Sequence, residues 1–335
     1  MRLIAAAGIM ALLAGVQPAA AAEVTVSAVQ ITRFKDSALD QPVDKLIWRG
    51  GIAMVSQEDT FGGLSGLTFT GADHRAVFVS DRGNFVSGQL AYDDANRLFG
   101  FIGVTIDPMR NSKGDLLPRQ YARDAESVDT VYRDGLPVAV RVGFENLTRV
   151  ADFALSNGVP GGAAREVAIP DWLSQLRTNS TLESVCVAPA GSPIAGSTLL
   201  LAEGAFDADG NHRGWLLGQS DKGPVSYRSS AATDPTECAF LPNGDLLVLE
   251  RGVSFLSFSM ALRRVPAAEV RAGNVMAGEV LLSAGGGEVD NMESMAVYTA
   301  ADGETRVVIG SDNNFNDWQR SLLLEFGLPE APIQR

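Results

Sequence analysis

Carboxylate residues stand at both ends of short apolar hairpins in this chain. In the stretch PTECAFLPNGDLLVLERG (235–252), Glu237 and Glu250 lie equally far from the turn signal Asn243-Gly244. Paired residues of an antiparallel hairpin have a constant index sum, so a two-residue turn here predicts that the two glutamates face each other. Carboxylate oxygens gathered at one end of a hairpin are the hard ligands that Ca²⁺ prefers. The spacing therefore predicts a cation site.

Similar hairpins recur along the chain. Their first polar positions are residues 65, 126, 183, 237 and 293, separated by 61, 57, 54 and 56 residues. Most of these pairs are compatible with a simple hairpin, although the copy at 124–146 requires a bulge or a longer loop. The paired residues are Ser65 with Asp81, Glu126 with Glu145, Glu183 with Glu203, Glu237 with Glu250, and Glu293 with Asp312.

The segments that carry these residues read as short strands. Runs rich in Val and Leu are broken by Gly, Asp-Gly and Asn-Gly, which indicates an all-β protein. A repeat of this length with two strands per motif predicts a single β-propeller of five or six blades, whereas a β-sandwich is the less regular alternative. We expect one short helix at 171–176. We expect the last strand, 321–328, to close the ring beside an N-terminal strand at 24–34.

In such a propeller the repeated acids form a ring at one mouth of the central channel. Like charges raise one another's pKa unless cations offset them, and arginines follow several of the acids closely. A bound Ca²⁺, with Mg²⁺ or Mn²⁺ as alternatives, would offset the negative charge that the arginines do not balance. The inner ligands predicted from this pattern are Glu126, Glu183, Glu237 and Glu293, followed by Asp81, Glu203 and Asp312.

Composition excludes several other functions. The net charge of −13 argues against a nucleic-acid partner, because phosphate backbones require a basic surface. His74 and His212 are expected in loops, which disfavours a zinc site and a serine nucleophile with a histidine base. There is no P-loop or dinucleotide-binding fingerprint. We expect a monomer that acts on a small molecule.

The N-terminal residues 1–22, MRLIAAAGIMALLAGVQPAAAA, have the pattern of a secretory signal peptide. Residues 23–335 would then form the mature propeller domain, periplasmic or secreted and without stable membrane insertion. Cys186 and Cys238 either form a disulfide, as export permits, or remain two buried thiols. The sequence leaves both alternatives open.

These motifs resemble the phytase-like family of exported proteins, described as esterase-like activity of phytase. The resemblance covers most of the mature chain and implies a propeller with metal-assisted hydrolysis of phosphoesters. Ser65 stands where the other copies carry an acid, so the ring is not uniform. The matching stretches are FGGLSGLTF…VFVSDRGNF (61–85), DAESV…GFEN (124–146), NSTLESVCVAP…LLLAEGAF (179–206), PTECAFLPNGDLLVLERG (235–252) and NMESMAV…IGSDNNF (291–315).

The resemblance implies a mechanism in which carboxylates hold metal ions and the ions bind a substrate phosphate. Arg82 and Arg251 are then the predicted catalytic residues, which clamp phosphate oxygens. Whether the protein is an enzyme is left open by the sequence, since a fold does not determine chemistry. A propeller lactonase or esterase with an uncharged substrate, and a non-enzymatic binding propeller with structural calcium, are the alternatives.

Overall fold

Short runs of β-branched residues and leucine form twenty-six strands in the part of the chain that the structure describes. The computed structural model describes residues 21–329 except 72, 119, 179, 220 and 256, so most of the predicted signal peptide lies outside it. The strands are β1 (Ala22–Val24), β2 (Val26–Ile31), β3 (Arg33–Phe34), β4 (Ser37–Ala38), β5 (Pro42–Val43), β6 (Leu46–Ser56), β7 (Leu64–Phe69), β8 (Arg75–Ser80), β9 (Asn84–Tyr92), β10 (Leu98–Pro108), β11 (Ala125–Arg133), β12 (Leu136–Phe144), β13 (Arg149–Ser156), β14 (Val159–Val167), β15 (Leu182–Val187), β16 (Thr198–Phe206), β17 (His212–Leu217), β18 (Gly223–Tyr227), β19 (Asp234–Phe240), β20 (Leu246–Ser254), β21 (Ser257–Val265), β22 (Val275–Met276), β23 (Glu279–Gly285), β24 (Asn291–Thr299), β25 (Thr305–Asp312) and β26 (Ser321–Leu328).

Helical structure is sparse in the described residues. The expected short helix is present as α1 (Asp171–Ser174), and two single 3₁₀ turns occur at Gln120–Ala122 and Gly286–Glu288. No helix in the described ranges is long and apolar enough to cross a membrane.

Five sheets surround a central channel, which confirms the propeller and fixes the number of blades at five. Away from the main strand order of these sheets, β3 pairs with β4, and β5 pairs with β6. The innermost strands β7, β11, β15, β19 and β24 each contact the next one, and β24 contacts β7. From the channel outward, the blades are β7-β8-β9-β10-β1 (blade 1), β11-β12-β13-β14 (blade 2), β15-β16-β17-β18-β22 (blade 3), β19-β20-β21-β23 (blade 4) and β24-β25-β26-β6-β2 (blade 5).

The ring is closed within blade 5, where strands from both ends of the chain pair. The expected partner of β26 was wrong: β26 pairs with β6, and β2 lies one strand further out. The reason is burial, because β6 is buried along most of its length whereas β2 alternates as an edge strand does. Gly51 is required in β6, since a Cβ there would lie 2.5 Å from the carbonyl oxygen of Leu323.

The apolar core is divided into five clusters, one between each pair of neighbouring blades. In the cluster between blades 4 and 5, the fully buried rings of Phe34, Trp48 and Phe326 lie 5.1–5.2 Å apart between centroids. Burial of such large side chains is the main stabilising contribution to the packing of blade on blade.

A disulfide joins Cys186 of β15 to Cys238 of β19, which resolves the alternative left open by the sequence. The bond links the inner strands of blades 3 and 4 across 52 residues of chain. Closing a loop of this length restricts the unfolded chain and contributes about 4 kcal/mol in the chain-entropy description.

Candidate metal centre at the channel mouth

A β-bulge occurs at the same place in all five inner strands, close to the face that we call the rim. The rim is the face formed by the loops that follow β8, β12, β16, β20 and β25. Each bulge leaves one residue without a cross-strand partner and redirects its side chain. The bulged residues are Ser65, Glu126, Glu183, Thr236 and Glu293.

The neighbouring strand of each blade supplies a second rim residue. This second residue faces the inner-strand residue two positions before the bulge. The two residues are paired in the β-sheet register in blades 4 and 5, and in blades 1 to 3 the second residue donates its backbone N–H to the carbonyl of that inner-strand residue. These second rim residues are Asp81, Glu145, Glu203, Arg251 and Asp312. Every blade therefore presents two side chains to the rim at equivalent positions.

The predicted pairing of Glu237 with Glu250 was wrong. Glu237 lies opposite Leu249, and Glu250 lies opposite Pro235. The turn has three residues rather than two, because the amide of Leu241 donates to the carbonyl of Asp245. This loop and the bulge shift the pairing, so that Thr236 and Arg251 occupy the rim positions of blade 4.

The predicted pairing of Glu293 with Asp312 was also displaced. Asp312 lies opposite Asn291, and Glu293 is the bulged residue. Both carboxylates nevertheless remain at the rim, because each holds one of the two equivalent positions of blade 5.

Five carboxyl groups from blades 1 to 3 form what we call the acidic sector. Within it, single carboxylate oxygens of Asp124, Glu126 and Glu145 all lie within 4.8 Å of one another. Glu183 of the next blade lies beside Glu145. Burial raises the pKa of Glu183, and the contact with Glu145 raises it further. The acidic sector consists of Asp81, Asp124, Glu126, Glu145 and Glu183.

Burial raises the pKa values of this sector above their ordinary range, and mutual repulsion adds to the effect. The pKa of Asp81 rises to about 7 through burial and then the charges of Asp312 and Asp124. The pKa of Glu145 also rises to about 7, chiefly through burial. Burial followed by the charges of neighbouring carboxylates raises the pKa of Glu126. Groups with such pKa values favour a neutral form or a bound cation.

The opposite side of the rim is organised around Arg251. We call this side, which consists of Arg251, Glu203, Asn291 and Glu293, the arginine sector. The Arg251 guanidinium donates to Glu203 at 3.2 Å, to Asn291 at 2.9 Å and to Glu293. The amide of Asn291 also donates to Glu293, at 2.9 Å. The single positive charge of Arg251 therefore offsets part of the combined negative charge of Glu203 and Glu293.

Arg82 lies at the outer edge of the rim. Its guanidinium carbon is 3.3 Å from the centroid of the Phe315 ring, and Nη1 donates to the carbonyl of Asp59 at 2.9 Å. The structure thus brings Arg82 next to Asp81 but orients it along the surface loops.

Glu237 lies in the channel, one residue below the rim position Thr236 of blade 4. Its Oε1 accepts from Ser127 Oγ at 2.8 Å and from the Cys238 amide at 2.9 Å, so the side chain reaches across the channel from blade 4 to blade 2. Oε2 is buried and has no hydrogen-bond partner among the described residues. Burial raises the pKa of Glu237 well above its ordinary value.

Glu250 holds blades 3 and 4 together rather than contributing to the rim. The fully buried carboxylate accepts from Tyr227 at 2.5 Å, Thr233 at 2.8 Å and Arg263 at 3.0 Å. These donors hold its pKa below the ordinary value against the opposing effect of burial.

Sequence reasoning missed Asp124, Asn291 and His212. Asp124 and Asn291 both stand two residues before a bulged glutamate, a signal that an alignment of the repeats on the bulge would have revealed. His212 was expected in a loop, but it begins β17 and is buried. Its Nδ1 lies 2.7 Å from the carbonyl oxygen of Glu203 and its Nε2 lies 3.1 Å from Ser229 Oγ. His74 lies in a turn, as expected, against Tyr92.

The fold and the rim define a class of protein: a five-bladed β-propeller with an asymmetric ring of carboxylates at one channel mouth. The chain belongs to the phytase-like family, esterase-like activity of phytase, whose family model matches residues 59–315. The match includes all five inner strands and every rim position.

Two matches among solved structures have low similarity to this chain. One match is described as "COPII on membranes, outer coat vertex", with 7% sequence identity, a TM-score of 0.39, and coverage of 87% of this chain and 74% of that chain. Another is "The structure of the COPII coat assembled on membranes", with the same identity, TM-score and coverage of this chain but 41% of that chain. No curated protein matches the sequence.

Proposed function

We propose that this phytase-like propeller is an exported, calcium-dependent phosphoesterase whose acidic sector binds the metal. The observation that carries the proposal is the uneven neutralisation of the rim. Arg251 forms ion pairs with two carboxylates on one side, whereas the carboxylates of the acidic sector form no salt bridge among the described residues. Neutral donors offset them in part, such as the Asn146 side-chain amide at Asp124 and the Thr181 backbone amide at Glu145. A cluster of this kind gains stability from a cation.

The residues present fit a hard cation. Asp124, Glu126 and Glu145 offer carboxylate oxygens from one small region, and Asp81 Oδ1 is buried without a hydrogen-bond partner in the described part of the chain. An all-oxygen donor set of this kind suits Ca²⁺, with Mg²⁺ or Mn²⁺ as alternatives, better than zinc. Asp312 extends this set from blade 5, and its pKa is raised to about 6, chiefly by burial.

Bound metal would polarise a phosphate oxygen and lower the pKa of a water molecule. The chain itself would orient the substrate. Arg251 has five donor hydrogens, and its partners Glu203, Glu293 and Asn291 hold the guanidinium at the edge of the acidic sector. The remaining N–H groups of Arg251 would donate to one phosphate oxygen of a substrate bound there. Arg82, which follows Asp81, stays a predicted second contact.

Thermal unfolding tests the metal site directly. We expect Ca²⁺ to raise the Tm of the mature protein above its value in EDTA, because a ligand that binds only the folded state stabilises it. Glu126→Gln should remove most of this rise and should stabilise the metal-free protein by about 1 kcal/mol through loss of repulsion. Phosphatase assays with Ca²⁺ and with EDTA then test the activity.

The matched control is Glu279→Gln, which changes an exposed glutamate on β23 that pairs with Lys45 far from the rim. This variant should keep the wild-type response to Ca²⁺. Equal Tm values in EDTA and Ca²⁺ for the wild-type protein would contradict the proposed metal site.

A calcium-dependent carboxylic esterase or lactonase is the second candidate. The pairing of Arg251 with two carboxylates favours it, because these contacts reduce the capacity of the guanidinium for phosphate. Turnover of aryl acetates or lactones, with none of phosphoesters, would identify this activity. A calcium-dependent Tm with no turnover of either class would instead indicate a binding protein with structural calcium.

A further inference from the structure

A cleft of about 350 Å³ opens on the rim between blades 3 and 4. Glu203 and Arg251 belong both to its wall and to the arginine sector, so the cleft adjoins the proposed metal centre. The loops after β16 and β18 and the outer end of β20 form most of the remaining walls. A substrate held at the acidic sector would therefore extend into this cleft.

The walls of the cleft carry mostly hydrogen-bonding side chains. Ser229, Ser230, Thr233 and Asp234 line it, and the Asp234 side chain is half exposed. His212 is fixed beside them, because Nδ1 must donate its proton to the carbonyl oxygen of Glu203. Both ring nitrogens of His212 thereby have partners within the protein, so ligand hydroxyls would be recognised by the Asp234 carboxylate and by the remaining lone pairs of the wall hydroxyls.

One wall is flat and apolar. The Phe206 side chain is 52% exposed, and its ring centroid lies 4.9 Å from that of His212. An exposed ring beside a set of polar groups suits a ligand with an apolar face and polar edges. Sugar and cyclic polyol rings have this character, because C–H groups lie on their faces and hydroxyls at their edges.

The charges at the rim argue against a substrate that carries many phosphates. Arg82 and Arg149 donate to backbone carbonyls, and Arg123 donates to the carbonyl of Leu117. Arg251 already contacts two carboxylates. The lysines, Lys35, Lys45, Lys113 and Lys222, all lie outside the five rim motifs. Each phosphate beyond the first would meet carboxylates without a matching cation.

We propose that the cleft binds the alcohol part of a monophosphorylated sugar or polyol, whose single phosphate lies at the acidic sector. This assignment rests on the proposed phosphoesterase function. In the reaction, water forms a new P–O bond, the bond from phosphorus to the alcohol oxygen breaks, and the alcohol leaves with a proton from water. The products are inorganic phosphate and the free sugar or polyol.

Competing substrates test the class. We expect glucose 6-phosphate and myo-inositol 1-phosphate to be hydrolysed in Ca²⁺ with kcat/KM at least tenfold above that of inositol hexakisphosphate. Isothermal titration with the same compounds gives a readout that does not depend on turnover. A preference for the hexakisphosphate in either measurement would overturn the proposal.

Variants test the location. Phe206→Ala and Asp234→Asn should each raise the KM for the monophosphates by about tenfold, which corresponds to about 1.4 kcal/mol. The matched control is Phe255→Ala, since Phe255 is 96% exposed on a neighbouring rim loop and does not line the cleft. All three variants should keep the wild-type rise of Tm with Ca²⁺. Unchanged KM in both cleft variants would show that the alcohol part binds elsewhere.

The two proposals fail in different ways. If no phosphoester is hydrolysed, the phosphoesterase function fails, and the titrations still decide the cleft. Binding of glucose 6-phosphate that Phe206→Ala abolishes and Phe255→Ala preserves would support the cleft as a sugar-phosphate site. Absence of binding to the wild-type protein would overturn it.

Discussion

Blades 2 and 4 present the same two rim positions with opposite chemistry. Blade 2 places Glu126 and Glu145 there, whereas blade 4 places Thr236 and Arg251. The bulge and the strand ends are alike in the two blades, so the backbone fixes where a side chain lies and the residue type decides its charge. The difference divides the rim into a side that needs cations and a side that supplies one.

Removal of the cation from blade 4 should have the largest effect. In Arg251→Gln, Glu203 and Glu293 lose their guanidinium partner while they remain mostly buried. We expect a loss of about 2–4 kcal/mol in the free energy of unfolding in EDTA, because an unpaired buried charge is costly. Urea unfolding measures the loss, and added Ca²⁺ should recover part of it.

Arg165→Gln is the matched control for that change. The Arg165 side chain is 70% exposed and pairs with Asp152, which Arg141 also holds. An exposed pair of this kind contributes at most about 1 kcal/mol. Equal losses in the two variants would contradict the special role of Arg251.

The acidic side should make the metal-free protein less stable as pH rises. Asp81 and Glu145 have pKa values raised to about 7 in the folded state, above reference values of 3.8 and 4.5. A raised folded-state pKa means that the folded protein binds protons more tightly than the unfolded chain does. The resulting contribution to the free energy of unfolding is complete below the unfolded-state pKa and is lost as the pH rises to about 7. The urea concentration at the midpoint of unfolding in EDTA should therefore decrease as the pH is raised from 5 to 8.

Calcium should reverse this pH dependence, since metal binding requires the deprotonated carboxylates. Glu145→Gln should flatten the slope in EDTA. A midpoint that rises with pH in EDTA would show that other groups dominate the titration.

Glu237→Gln should have the smallest effect. Burial keeps the pKa of this carboxyl raised, and Oε1 would continue to accept from Ser127 and Cys238 after the change. We expect a loss of about 1 kcal/mol or less, as for a neutral hydrogen-bonding exchange. The rise of Tm with Ca²⁺ should match that of the wild-type protein, in contrast to Glu126→Gln. Loss of that rise would place Glu237 among the metal ligands.

The repeat of acidic hairpins was sufficient to predict the propeller and most of the rim. Glu126, Glu183, Glu203, Glu293, Asp81 and Asp312 all lie at the rim positions. The prediction failed in blade 4, because index sums assume a regular ladder and a two-residue turn. A three-residue turn and a bulge each shift the register, and a shift of one residue turns a side chain to the other face.

Long-range pairing was the other limit. The identity of the strand beside β26 depends on packing against blades that are distant in sequence, and local pattern does not distinguish β2 from β6 strongly. The cleft beside His212 was equally hidden, because its walls come from two loops and several strand ends of blades 3 and 4. Local spacing carries no signal for such a meeting of loops.

The pairing of β6 with β26 sets the order in which the molecule can be completed. Residues 46–56 are synthesised before the inner strands of blades 1 to 4, but their partner at 321–328 is synthesised after those blades, so blade 5 cannot be completed until the other four blades have been made. Until then β6 is an apolar strand with one unpaired edge, of the kind that associates with other chains. A nascent chain would therefore benefit from a chaperone that shields this segment, and loss of β26 would leave every copy with an open ring.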